Sequence, residues 1–146
     1  DPVSRVAVWE MLMQLKRERE LTLLMTTHYM DEAELCQRVG FISQGRLVAL
    51  DTPDRLKESQ MRGQVLEISA ADPDRALRTL QEARSRGALP LDEVALYGLQ
   101  VHAVVPDARE YRGAIEKWLG DHGVAVQAVE WIAPTLEDVF ISAVRR

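Results

Sequence analysis

Apolar and polar residues change their rhythm several times along this chain, and each rhythm predicts an element. Asp1-Pro2 reads as an N-cap followed by proline at the first helical position. The helix it opens runs to about Glu20. Val8, Leu12 and Leu15 share one face, and Val6, Trp9 and Met13 form a second. A helix apolar on two sides expects more protein around it than a surface helix does. Leu21 to Thr27 is continuous rather than alternating, which predicts a strand covered on both faces. His28 to Arg38 reads as a short helix with carboxylates crowding its first turn, where the helix dipole favours them. Val39 to Ser43, the Gln44-Gly45 turn and Arg46 to Leu50 read as a hairpin. Thr52-Pro53 starts another helix, ending near Met61.

Gly63 marks a domain boundary, which gives expected units over 1–62 and 63–146. Gln64 to Ala70 is a strand, and Asp72-Pro73 caps a helix reaching about Arg86. Glu93 to Tyr97 and Leu99 to Val105 are strands joined at Gly98. Asp107 and Glu110 form a capping-box pair for the next helix, which carries Tyr111, Ile115, Trp118 and Leu119. Val124 to Ile132 alternates, with Val124, Val126, Ala128 and Glu130 on one side, and Thr135 caps a last helix. Trp118 and Trp131 read as core anchors. This β-α-β-β-α-β order is the split βαβ, or ferredoxin-like, arrangement, with an irregular α+β sandwich as the alternative.

Composition narrows the classes. The 146 residues are 47% hydrophobic and 28% charged, the values of a globular chain. The net charge is -5 and neither half is basic, which disfavours nucleic acid as a partner. Cys36, the single cysteine, cannot form an internal disulfide and fits a reducing compartment. No apolar run reaches the length of a membrane span, so direct membrane insertion is not expected. The chain opens on Asp1 rather than Met, which reads as a cut end.

The stretch with chemistry is Thr26 to Glu34, T-T-H-Y-M-D-E-A-E. His28 falls where the predicted buried strand gives way to a helix, and ligands of open α/β sheets sit outside the carboxyl ends of strands. A histidine there can offer an N–H to a phosphate oxygen or orient a water, or it can simply bond a nearby carbonyl. Asp31, Glu32 and Glu34 point in different directions from a helix and read as a solvated helix start, not a metal cluster. His102 and His122 are each isolated in sequence and read as structural.

The segment L-L-M-T-T-H-Y-M-D-E-A-E-L-C-Q-R-V resembles the switch-histidine segment of ATP-binding subunits of ABC transporters. Asp1-Pro2 resembles the end of the family's D-loop, and G-R-L-V-A-L-D-T-P-D-R-L resembles the hairpin and helix that close its core. Pro134 to Phe140, P-T-L-E-D-V-F, resembles a motif of drug- and antibiotic-exporter members. Asp51 stands where a glycine is more usual, and Gln37 where an acidic residue is common. The resemblance implies a partial P-loop NTPase core over 1–62, followed by a small α+β accessory domain. It implies that His28 contacts the γ-phosphate of ATP and that Asp1 communicates between the two sites of a dimer. ATP and Mg2+ are the implied cofactors of the intact subunit. A second ATP-binding subunit and membrane permease subunits are its implied partners, at the cytoplasmic face of the membrane. The chain holds no G-x-x-x-x-G-K-S/T phosphate loop, no strand ending in Asp-Glu before Asp1 and no L-S-G-G-Q-like signature. Alone, it is therefore expected to be inactive on ATP, and its first unit to self-associate or domain-swap. The competing reading is a ferredoxin-like regulatory, ligand-binding or dimerisation module in 63–146.

Overall fold

The computed structural model describes residues 1–144 and shows a mixed α/β chain. Helix α1 (Pro2–Arg19) starts where expected: the Asp1 carboxylate accepts the Val3 N–H at 3.2 Å. It stops at Glu20, which takes the left-handed conformation with φ 49°. Lys16, Arg17 and Arg19 lie in the last turn, where the helix dipole favours cations.

The strand expected over Leu21 to Thr27 does not form. A strand exists only with a hydrogen-bonded neighbour, and no ladder involves this segment. The next helix, α2 (Met30–Ala33), is one turn long, shorter than the sequence predicts. The hairpin of β1 (Val39–Ser43) and β2 (Arg46–Asp51) forms as expected. Its turn residues Gln44 and Gly45 both have positive φ, the two-residue geometry that matches strand twist. Helix α3 (Pro53–Gln60) begins at Thr52, whose hydroxyl accepts the Arg55 N–H at 3.3 Å.

Strands β3 (Gln64–Ala70), β4 (Glu93–Tyr97), β5 (Gln100–Val105) and β6 (Val126–Ile132) form one antiparallel sheet in the order β4-β5-β3-β6. Helices α4 (Pro73–Ser85) and α5 (Ala108–Asp121) cover one face, capped by Asp72 and Asp107. Period-two alternation puts Leu66, Ile68, Val101, Ala103 and Val105 on that face. There they pack with Ala76, Leu80 and Ala83 of α4 and with Ile115 and Leu119 of α5.

β6 departs from its simple alternation. The ladder to β3 slips between Ser69 and Ala70, so an extra residue enters β6 near Gln127. A bulge of one residue exchanges the faces beyond it. Val126 packs on the core before the slip and Val129 after it, while Glu130 turns to solvent. Trp131 lands at the sheet edge, 51% exposed, and is not a core anchor. Trp118 does pack on the core, and its indole N–H donates to the Thr79 carbonyl at 3.2 Å.

Helix α6 (Leu136–Val144) closes a second core with the N-terminal elements. Leu136, Val139 and Ala143 bury against Ala33, Phe41 and Leu56, and Phe140 meets Phe41 edge-to-face at 5.2 Å. Gly63 joins the two cores at a close approach. A Cβ built there would stand 2.5 Å from the Val105 carbonyl oxygen. Gly63→Ala is therefore expected to destabilise the chain by about 1–3 kcal/mol through overpacking against backbone. A urea midpoint equal to that of the parent sequence would refute this.

Candidate functional site

His28 sits on the exposed turn between the irregular Leu21–Met25 segment and α2. Its ring lies 4.2 Å from that of Tyr29, centroid to centroid. The Thr27 hydroxyl accepts the Tyr29 N–H at 3.0 Å and donates to Glu32 Oε2 at 2.5 Å. Arg5, one turn into α1, donates from Nε to Glu32 Oε1 at 3.0 Å and lays its guanidinium 3.8 Å from the Tyr29 ring centre. The Thr27 bond, with Arg5 beside it, outweighs desolvation and holds the Glu32 carboxyl below its ordinary range.

Asp1, the other expected site residue, is the N-cap of α1. Its carboxylate also accepts the Ser4 hydroxyl at 3.1 Å. Asp1, Ser4, Arg5, Val8, Trp9 and Glu32 line an open depression of about 230 Å3. The structure thus brings Asp1 and Glu32 to one hollow, with Arg5 between them, and places His28 on the loop that Glu32 holds. The three acidic residues after His28 diverge, as expected. Glu32 turns to Arg5, Glu34 bonds Lys57 at 2.7 Å, and Asp31 is exposed. Among the described residues no group of three or more His, Cys, Asp or Glu could hold a metal ion.

A second polar cluster is invisible in the sequence. His102 is not isolated: it is buried on the sheet face opposite α4 and α5. Nδ1 lies 2.8 Å from Asp138 Oδ1 on α6, and Nε2 lies 3.1 Å from Glu67 Oε2 on β3. Tyr97 stacks on the imidazole at 4.3 Å. Burial pushes the His102 pKa down, but the two carboxylates outweigh it and raise it above 6.5. Burial likewise opposes ionisation of Asp138, yet His102 and the Thr135 donors hold its pKa below 3.8. Burial, then Asp138, pushes the Tyr97 hydroxyl well up. Asp138 also completes a reciprocal cap. It accepts the Thr135 N–H at 2.8 Å, and its own N–H donates to Thr135 Oγ1 at 3.2 Å. The T-x-x-D spacing could have disclosed that cap. Nothing local pairs Asp138 with a histidine 36 positions away.

This mixed α/β chain, with its histidine turn beside a capped helix start, carries the marks of a nucleotide-handling protein only through its relatives. No known family profile matches the chain. It is 35% identical over 144 residues to the daunorubicin resistance ATP-binding protein DrrA2 of Streptomyces coeruleorubidus, covering 97% of this chain and 43% of that protein. It is 30% identical over 142 residues to the Nod factor export ATP-binding protein I of Mesorhizobium japonicum, covering 97% and 38%. Over 57 residues it is 44% identical to the probable multidrug ABC transporter ATP-binding protein YbhF of Escherichia coli, covering 39% and 10%. The chain belongs to the ATP-binding proteins of ABC transporters, with its likeness in the C-terminal portion of drug-exporter-like members. It spans less than half the length of these relatives. No helix among the described residues is long and apolar enough to cross a membrane.

Proposed function

We propose that this chain is the C-terminal part of the ATP-binding subunit of an exporter, in which His28 contacts the γ-phosphate of ATP. The observation that carries the reading is the number of large apolar side chains left exposed on α1 and on the segment leading to the His28 turn. Val3, Val6, Val8 and Met11 of α1 are exposed, as are Leu21, Leu23, Leu24 and Met25, with Leu24 at 96%. Large apolar side chains exposed in such number point to further protein packed against them. The rest of an ATP-binding core would cover them, add neighbours to Leu21–Thr27, and bring a phosphate loop up to His28.

In this reading 1–62 complete that core and 63–146 form an accessory domain whose last helix, α6, packs back on the first unit. The strand order and connections of the second unit support the ferredoxin-like label. Asp1 would communicate across a dimer of ATP-binding subunits, docked on permease subunits at the cytoplasmic face of the membrane. ATP supplies the phosphoryl group, and Mg2+ neutralises its charge when bound. Alone, the chain is expected to release no phosphate from Mg-ATP in a malachite-green assay. Turnover lost in His28→Ala of this chain would contradict that.

The alternative ligand-binding reading of the second unit has one observation behind it. Ser69, Pro73, Leu99, Gln100 and Gln127 line a depression of about 280 Å3 at one end of the sheet. It is open, and the Ser69 hydroxyl already donates to Gln100 Oε1 at 2.8 Å. A shallow hollow whose polar groups satisfy each other offers little to a ligand.

A further inference from the structure

We propose that Arg5 and Glu32 are positioning residues for His28, clamping the histidine turn to the helix that Asp1 begins. This deepens the reading of His28 as the γ-phosphate contact and rests on it.

His28 is exposed on a turn, and its ring lies against that of Tyr29. What fixes it is what holds its two neighbours. A single hydroxyl, that of Thr27, accepts the Tyr29 N–H and donates to Glu32. The residues before and after His28 are therefore tied into one small ring. Glu32 accepts from that hydroxyl through one oxygen, and its second oxygen takes the Arg5 Nε–H. Arg5 also stacks on Tyr29, whose ring in turn lies against His28. The planar guanidinium serves both contacts at once, which a lysine ammonium cannot do. Arg5 is fixed to the start of α1, since its backbone N–H donates to the Asp1 carbonyl at 3.1 Å. The ion pair is half exposed, so its contribution to stability is small. Its geometric effect is larger: it sets the height of the His28 turn over the Asp1 end of the helix.

Placement matters because a contact to a transferring phosphoryl group works through alignment, and a shift of about 1 Å can cost about a hundredfold in rate. Glu32→Ala and Arg5→Ala in the intact subunit should each lower kcat for ATP by about tenfold or more, with KM for ATP within about threefold. Thr27→Val removes the hydroxyl while leaving the Arg5–Glu32 pair, and should give the same split should Glu32→Ala fold poorly. Glu32→Gln keeps an acceptor for Thr27 and should recover part of the loss. Unchanged kcat in Glu32→Ala and Thr27→Val, beside a His28→Ala variant that is inactive, would overturn the clamp and leave the role of His28 standing. Losses that merely track a lowered melting temperature, with kcat per folded molecule preserved, would overturn it too. Turnover indifferent to His28→Ala would remove both the clamp and the reading beneath it.

Discussion

Asp138→Ala is expected to destabilise the chain by about 3–5 kcal/mol, the scale for breaking a buried ion pair from one side. For a chain of this size that is a fall of roughly 10 °C in melting temperature. Asp138 is 4% exposed and serves two partners. It caps α6 together with Thr135 and accepts from His102. Its loss would leave His102 buried beside Glu67 alone and would expose the start of the helix that closes the second core.

The same cluster sets a pH dependence. Both His102 nitrogens face carboxylate oxygens, so both bonds exist only when both nitrogens carry hydrogen, that is, in the cation. The His102 pKa is raised in the folded chain. Its contribution is therefore complete below the ordinary 6.5 and is lost as pH rises through the raised value. The Asp138 pKa is lowered, so its contribution is complete above 3.8 and is lost as pH falls through the lowered value. The cluster stabilises most between those limits. Melting temperature should therefore fall as pH rises from mildly acidic to alkaline, and His102→Gln should flatten that limb. A parallel fall in both proteins would mean that the cluster does not titrate as described.

In the intact subunit, His28→Ala should lower ATP turnover by about 10²–10³-fold, the usual cost of one preorganised donor to developing charge. Nucleotide affinity should change far less, because a contact that strengthens only as the phosphoryl group transfers is not made in the ground state. Steady-state phosphate release and equilibrium nucleotide binding, measured on the same preparation, separate the two effects. Turnover within about twofold of the parent sequence would exclude the role proposed for His28.

Much of the architecture was legible because its causes are local. Asp1-Pro2, Thr52-Pro53 and Asp72-Pro73 each put a capping carboxylate or hydroxyl before a proline, and each begins a helix. Gln44-Gly45 fixed a hairpin turn through its positive φ angles. The Leu21–Thr27 strand failed for a non-local reason. Its apolar run states what it would do in a sheet, but a strand needs a hydrogen-bonded neighbour, and none is provided by residues 1–144. Trp131 was misjudged for a different reason: it shares a face with Val129, opposite Leu66, but it lies near the end of the edge strand β6, where half of its surface stays uncovered.

The sequence by itself determined the elements from Val39 onward, the caps of the helices, and the family to which the His28 segment and Pro134–Phe140 point. Each of these depends on residues within a few positions of one another. Tertiary structure alone decided that α6 returns to pack on Phe41 and Leu56, that Arg5 reaches Glu32, and that Asp138 meets His102. Those contacts join positions 27 to more than 80 residues apart in the chain. Only the folded backbone brings them within hydrogen-bonding and packing distance, and the energy that selects them is collective rather than written in any one segment.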